Sequence, residues 1–294
     1  MDLSARTLRD AVLPYLEPYP LLRRLMNARK PPNWETLSFS DKIAWQCDNP
    51  DPAIDYAAMA DKHRVKEIVR DKFLVPATFL YARAPEEIDA QALPATYVMK
   101  AAHGWNMSLL VEDRIALGDN HKRDDSGQRA DTRYLREVAH SWLSSEAEHD
   151  RRRVERQYLF VKPGIMIEEL LKPVDYELKL LLFRGRMRFA QVFYRGFEHS
   201  DFRYRHFDEN WTEIEPDEDV RPHYELNGGD IAIPSEEMLS NLFALCSGID
   251  HVRADFYHCR GRYYFSEFTF THNGLGGPGF IGSLDKALGA FWLR

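Results

Sequence analysis

Cysteine is scarce: Cys47, Cys246 and Cys259 are the three in 294 residues, far apart and with no CxxC pair. A disulfide framework and a cysteine-based zinc site are therefore excluded, and a reducing cytoplasm is the expected compartment. Long apolar runs are missing too. No stretch approaches a bilayer span, and the N-terminus carries charge where a signal peptide needs an apolar centre. There is no basic excess: the net charge is −7, with acidic and basic residues interleaved, which speaks against a nucleic-acid binder. Neither a Walker GxxxxGK[ST] run nor GxGxxG after a strand is present, so both standard nucleotide-binding loops are absent.

What the chain does have is core-forming material, 44% hydrophobic and 29% charged, enough for one large domain or two lobes. Residues 1–33 set leucines at near-helical spacing among arginines and prolines. That pattern suits a helix packed on the fold or one lying on a membrane surface. Residues 40–73 read as helical pieces broken at Asn49-Pro50-Asp51-Pro52. LVPATFLYA and TYVMKAAHG read as strands, and LREVAHSWL lies on a helix. From residue 165, IMIEELL, ELKLLLFRGRMRFAQVFYRGF and VRADFYHCRGRYYFSEFTF read as strands, with a helix near PSEEMLSNLFALCSGI. Strands in runs with interspersed helices give an α+β chain.

The last of these stretches, residues 252–270, predicts a β-hairpin. A three-residue loop, Cys259-Arg260-Gly261, would place Val252, Ala254, Phe256, Tyr264, Ser266, Phe268 and Phe270 on a core face. Arg253, Asp255, Tyr257, Phe265, Glu267 and Thr269 then share the other. Two carboxylates facing each other suit Mg²⁺, which takes one or two carboxylates plus substrate phosphates. If they gather only for metal, the free protein carries their repulsion; if they pair with Arg253, the face is an ion-pair network. Lys100 ends an apolar strand before a loop with His103, Gly104, Asn106 and Ser108, an arrangement suited to phosphate or to a solvated strand end. Glu168-Glu169 could form a hinge reading an adenine edge, or a surface turn. Glu177 and Lys179 share a strand face, as a solvated ion pair would. Five glycines in residues 274–282 permit close approach to a ligand.

FSDKIAWQ, ADKHRVKEIV, YVMKAAHGWN, IMIEELL, ELKLLLFRG and VRADFY…YYFSEFTF, taken in order, resemble the TupA-like branch of the ATP-grasp enzymes over roughly residues 38–280. The resemblance implies an ATP-grasp fold with ATP between two lobes: a helical N-terminal region over 1–73, a small lobe over 74–165 and a large lobe over 166–294. It implies that Lys62 and Lys100 reach the ATP phosphates and that the hinge Glu168-Glu169-Leu170-Leu171 reads adenine. Glu177 would lie near ribose and Lys179 would face phosphate or acyl phosphate. Asp255 and Glu267 would bind one or two Mg²⁺ ions, and Arg253 would stabilise a tetrahedral intermediate. Many relatives have Asn two residues after the bridging Glu, where this chain has Thr269; Asn273 could take that role.

The implied function is an ATP-dependent carboxylate–amine ligase working through an acyl phosphate on small-molecule substrates in surface-polysaccharide biosynthesis. Phosphate transfer to a hydroxyl and nucleotide binding without turnover are the alternatives.

Overall fold

Strand alternation is laid out over two antiparallel sheets in a computed structural model that describes residues 30–118, 124, 126–144, 156–194, 203–215, 225, 229–271 and 282–293. The first sheet contains β1 (Thr78–Ala82), β2 (Tyr97–Ala101), β3 (Ser108–Glu112), β4 (Ile115–Ala116) and β5 (Ile165–Glu168), in the order β1-β5-β2-β3-β4. The second contains β6 (Val174–Phe183), β7 (Arg186–Tyr194), β8 (Arg203–Asp208), β9 (His251–Cys259) and β10 (Arg262–Thr269), in the order β10-β9-β6-β7-β8. This is the expected α+β architecture. Because β5 is inserted between β1 and β2, the division expected after residue 165 cuts the first sheet. By strand pairing the first lobe runs on through Glu168.

The helices are α1 (Phe39–Asp48), α2 (Tyr56–Met59), α3 (Arg64–Val69), α4 (Thr132–Leu143), α5 (Glu236–Cys246) and α6 (Gly282–Phe291). Ser38 and Asp41 form a capping box at α1, while Asp131 and Ser235 accept backbone N–H groups at the starts of α4 and α5. Such caps satisfy amides that have no partner within the helix.

The N-terminal helical region is not a separate unit. Tyr56, Val65, Val69 and Phe73 join Leu178, Leu180, Ala254, Phe256 and Leu242 of α5 in one core on one face of the second sheet. Trp34, Phe39 and Ile43 pack with Leu288 and Trp292 on the opposite face, against Leu181, Phe183 and Phe189. Buried Lys42 ties α1 to α6, donating to the carbonyls of Gly289 (2.7 Å) and Trp292 (2.9 Å). A Cβ at Gly289 would sit 2.5 Å from the Leu37 carbonyl oxygen, so this crossing requires glycine. The first sheet buries its own core against α4.

The hairpin of β9 and β10 corrects the expected loop. Cys259 pairs with Arg262, so the turn has two residues, Arg260 and Gly261, both left-handed at φ 52° and 71°. That is the pattern of a type I′ turn, which matches strand twist. Phe265 then falls opposite Phe256 and is fully buried, not on the polar face. The register shifts between Phe265 and Glu267, where Ser266 is the extra residue of a β-bulge. The bulge returns Glu267 to a position opposite Asp255. The two carboxylates share a face as expected, by a different device.

The expected N-terminal stripe up to residue 29 and the glycine-rich segment with Asn273 lie outside the described residues. Among the described residues no helix is long and apolar enough to cross a membrane.

Candidate active site

In-register neighbours on a sheet present side chains to the same face, so pairing alone arranges the face opposite Leu178 and Leu180. One transverse row holds Tyr257, Glu177, Phe193 and Tyr204 on β9, β6, β7 and β8. The next holds Glu267, Asp255, Lys179, Gln191 and His206 across all five strands. A third holds Thr269, Arg253, Leu181, Phe189 and Asp208, and its middle lies under the α1–α6 wall.

The first sheet meets this face with lysines. Lys100 on β2 is 2.8 Å from Glu168 on β5, and its ammonium lies 5.4 Å from the Tyr257 ring centroid. Lys66 on α3 pairs with the other oxygen of the same carboxylate. Lys62 is held by its neighbours. Asp61 accepts the N–H groups of His63 and Arg64 at the start of α3, and the Lys62 N–H bonds the Ala102 carbonyl at 3.2 Å. The Lys62 side chain donates to the Gly104 carbonyl (2.6 Å) and the Tyr158 hydroxyl (2.9 Å), and lies 3.1 Å from Glu267.

Between the sheets is a cavity of about 360 Å³. Lys100, Glu168, Glu169, Leu170, Leu171 and Glu177 line it, together with Asp175, Phe193 and Tyr257. Every expected hinge residue and the expected ribose residue therefore face one space. Asp255, Glu267 and Lys179 hold the neighbouring row, with Lys62 against Glu267 and Arg253 reaching Asp255 from the third, so the structure brings the expected residues into two adjacent groups.

Burial sets the electrostatics. Desolvation alone would strip Lys62 of its proton, but Glu267 and Tyr158 outweigh it and hold its pKa well above the ordinary lysine value. Lys100 is raised in the same way, with Glu168 and Tyr257 overcoming burial. Glu267 would be raised by burial, yet Lys62 and Arg253 bring it down to about 2. Glu168 is likewise lowered, its desolvation outweighed by Lys100 and Lys66. Lys66 is lowered, because burial and the Lys100 charge exceed what one shared carboxylate returns.

Asp255 accepts two hydrogen bonds from Arg253, at 2.7 Å each, and Arg253 also donates to Thr269 at 3.2 Å. Lys179 lies 3.7 Å from Glu177. Of the two readings of this face, the geometry matches the ion-pair network: each carboxylate already faces a cation. Lys62, Lys66, Lys100, Lys179 and Arg253 gather around Glu168, Glu177, Asp255 and Glu267. A site of clustered cations with two facing carboxylates fits a polyphosphate with a hard divalent ion. Among the described residues no group of three or more His, Cys, Asp or Glu could hold a metal, so phosphate oxygens and water would complete the coordination.

Sequence reasoning missed Lys66 and Tyr158, and gave Tyr257, placed on the polar face, no role. Lys66 lies four residues after Lys62, a spacing that returns to one helical face and could have flagged it. Tyr158 gave no local signal.

The description "TupA-like ATPgrasp" matches residues 41–293. No curated protein sequence matches the chain. Solved structures similar to it include D-alanine–D-alanine ligase from Bacillus anthracis complexed with ATP, at 14% identity and TM-score 0.41, covering 73% of this chain and 55% of that one. Another is the macrocyclase MdnC from Microcystis aeruginosa MRC bound with precursor peptide MdnA, at 14% identity and TM-score 0.44, covering 82% and 63%. A third is the L-amino acid ligase from Bacillus licheniformis, at 13% identity and TM-score 0.37, covering 72% and 40%. The chain thus spans less than two thirds of the length of each of these structures. With the family match running through both sheets and the site between them, the chain belongs to the TupA-like ATP-grasp family.

Proposed function

We propose that the protein is an ATP-dependent ligase that joins a carboxylate to an amine through an acyl phosphate. The observation that carries this reading is the placing of Lys62 beside Glu267, with Asp255 opposite it, in the row next to a cavity lined by Lys100, Glu168 and the hinge. Bound Mg²⁺ and ATP would supply the phosphoryl group and the charge that activates the acid. Glu168–Leu171 and Tyr257 would hold the base, and Glu177 the ribose. Lys62 and Lys100 would neutralise phosphate oxygens, and Asp255 and Glu267 would hold one or two Mg²⁺ ions. Lys179 and Arg253 would face the activated acid, where fixed cations stabilise developing negative charge. The acid would be small, a carboxylated sugar of a surface polysaccharide or another small acid.

Two measurements test the reading. Millimolar ATP with Mg²⁺ should raise the melting temperature, since a ligand bound only by the native state stabilises it; no shift in a folded sample removes the nucleotide. Phosphate release should then require a carboxylate and an amine together, in a screen of uronic and amino acids with amines. Release with a hydroxyl acceptor alone would replace the ligase with a phosphotransferase. A thermal shift without turnover across the screen would favour a nucleotide-binding partner protein.

A further inference from the structure

Gln191 and His206 continue the row of Glu267, Asp255 and Lys179 onto β7 and β8, and nothing in the proposed reaction yet uses them. Both lie on the cavity side. Their chain neighbours Ala190, Val192 and Phe207 belong to the core on the opposite face. His206 is 2% exposed and stacks on Tyr204, with ring centroids 5.3 Å apart. The Gln191 amide nitrogen is 3.0 Å from His206 Nε2. Burial pushes the His206 pKa down to about 4, so the ring is neutral near pH 7, and in the tautomer with its proton on Nδ1 its Nε2 accepts from the amide. An amide nitrogen has two N–H bonds. One is committed to His206, and the second remains to donate.

The rows place that donor. The cavity with the hinge lies over the row of Tyr257, Glu177 and Phe193, so a nucleoside held there sends its phosphates toward the next row. They can go no further along β6 and β7, because Leu181 and Phe189 in the third row are buried under the α1–α6 wall. The terminal phosphate must stop in the second row. There Lys179 has Asp255 on one side and Gln191 on the other, each one strand spacing away, roughly 4.8 Å.

Resting on the ATP reading above, we propose that Gln191 donates to the terminal phosphate and so distinguishes a nucleoside triphosphate from a diphosphate, with His206 as the positioning residue that fixes its amide. Gln191 carries no charge, so it adds geometry to a place already supplied with cations.

The test is calorimetry with Mg²⁺ and either ADP or the β,γ-imido analogue of ATP. Gln191→Ala should weaken the analogue about tenfold, the scale of one hydrogen bond to a charged group, and leave ADP unchanged. Gln191→Glu, which keeps the size and sets a carboxylate against phosphate, should weaken the analogue further. His206→Ala should act in the same direction as Gln191→Ala, and His206→Gln, whose amide oxygen can accept in place of Nε2, should restore discrimination. Equal losses for both nucleotides, or failure of His206→Gln to restore, would overturn the positioning role. Undiminished discrimination in both Gln191 variants would overturn the inference alone. A folded parent that binds neither nucleotide would overturn the ATP reading, and this inference with it.

Discussion

At the scale of single residues, the site is a set of cation–carboxylate pairs, each made of groups costly to bury alone. Asp255→Asn removes the charge and one of the two oxygens that accept from Arg253, and should destabilise the free protein by about 3 kcal/mol. The same variant should lose most of the stabilisation that Mg²⁺ and ATP give, and urea unfolding with and without them reads both effects. Free-protein stability equal to the parent's would mean that Arg253 does not depend on Asp255. Glu267 gives a pH signature. Its folded pKa of about 2 lies below the unfolded value of ~4.3, so its contribution is complete above the unfolded value and is lost as pH falls through the folded one. Melting temperature should therefore fall less steeply from pH ~4.3 toward ~2 in Glu267→Gln than in the parent; equal slopes would contradict the Lys62–Glu267 pairing. The carboxylate pair was legible only through compensation: the expected three-residue loop and the observed two-residue turn with a bulge at Ser266 both leave Asp255 and Glu267 on one face. Lys66 and Tyr158 were not, because their partners lie 102 and 96 residues away in sequence.

At the scale of elements, two hairpins turn on the same dipeptide. Arg184-Gly185 joins β6 to β7 and Arg260-Gly261 joins β9 to β10, all four residues having φ between 50° and 71°. The glycines differ in surroundings. A Cβ at Gly261 meets nothing within 4 Å, whereas one at Gly185 meets the Phe243 carbonyl oxygen at 2.6 Å and Ser247 Cα at 2.7 Å. Gly261→Ala should cost ~1 kcal/mol, from backbone strain alone. Gly185→Ala should cost ~1–3 kcal/mol more, because helix α5 must move. Denaturant midpoints of the two variants check the order, and equal midpoints would sink it. The bulge at Ser266 explains why alternation misplaced Phe265. A bulge adds one residue without changing composition, so the pattern before it reads out of phase with the pattern after it. The strands themselves were legible from β-branched and aromatic content, but the placement of β5 between β1 and β2 was not, since a sheet's order is set by distant pairing.

At the scale of the molecule, both ends of the described chain are fastened over one face of the second sheet. Lys42 and Trp34 donate to the Trp292 carbonyl, Lys42 also to that of Gly289, and Lys30 to that of Leu293. Lys42→Met keeps the apolar stem and removes the donor, leaving buried carbonyls at the end of α6 with fewer partners. It should cost about 2 kcal/mol, seen as a lower denaturant midpoint; an unchanged midpoint would show that water replaces the ammonium. That clasp was invisible in the sequence, where residues 40–73 show helices and nothing shows which face they cover. The sheet they cover has one greasy side under α5 and one side divided between a wall and a cleft.

On the ATP reading, the pairing of Lys62 with Glu267, of Lys66 and Lys100 with Glu168, and of Arg253 with Asp255 would make ligand capture a change of partners. Incoming phosphate would take lysines away from carboxylates, and incoming Mg²⁺ would take carboxylates away from cations. Neither half-exchange would be favourable by itself, because phosphate alone would strand an anion and metal alone a cation. Together they would be a double displacement that leaves no buried charge without a counter-charge, with nucleotide and metal binding as mutual prerequisites. The cleft would then work as a coincidence detector built from the ion pairs that hold it together when it is empty.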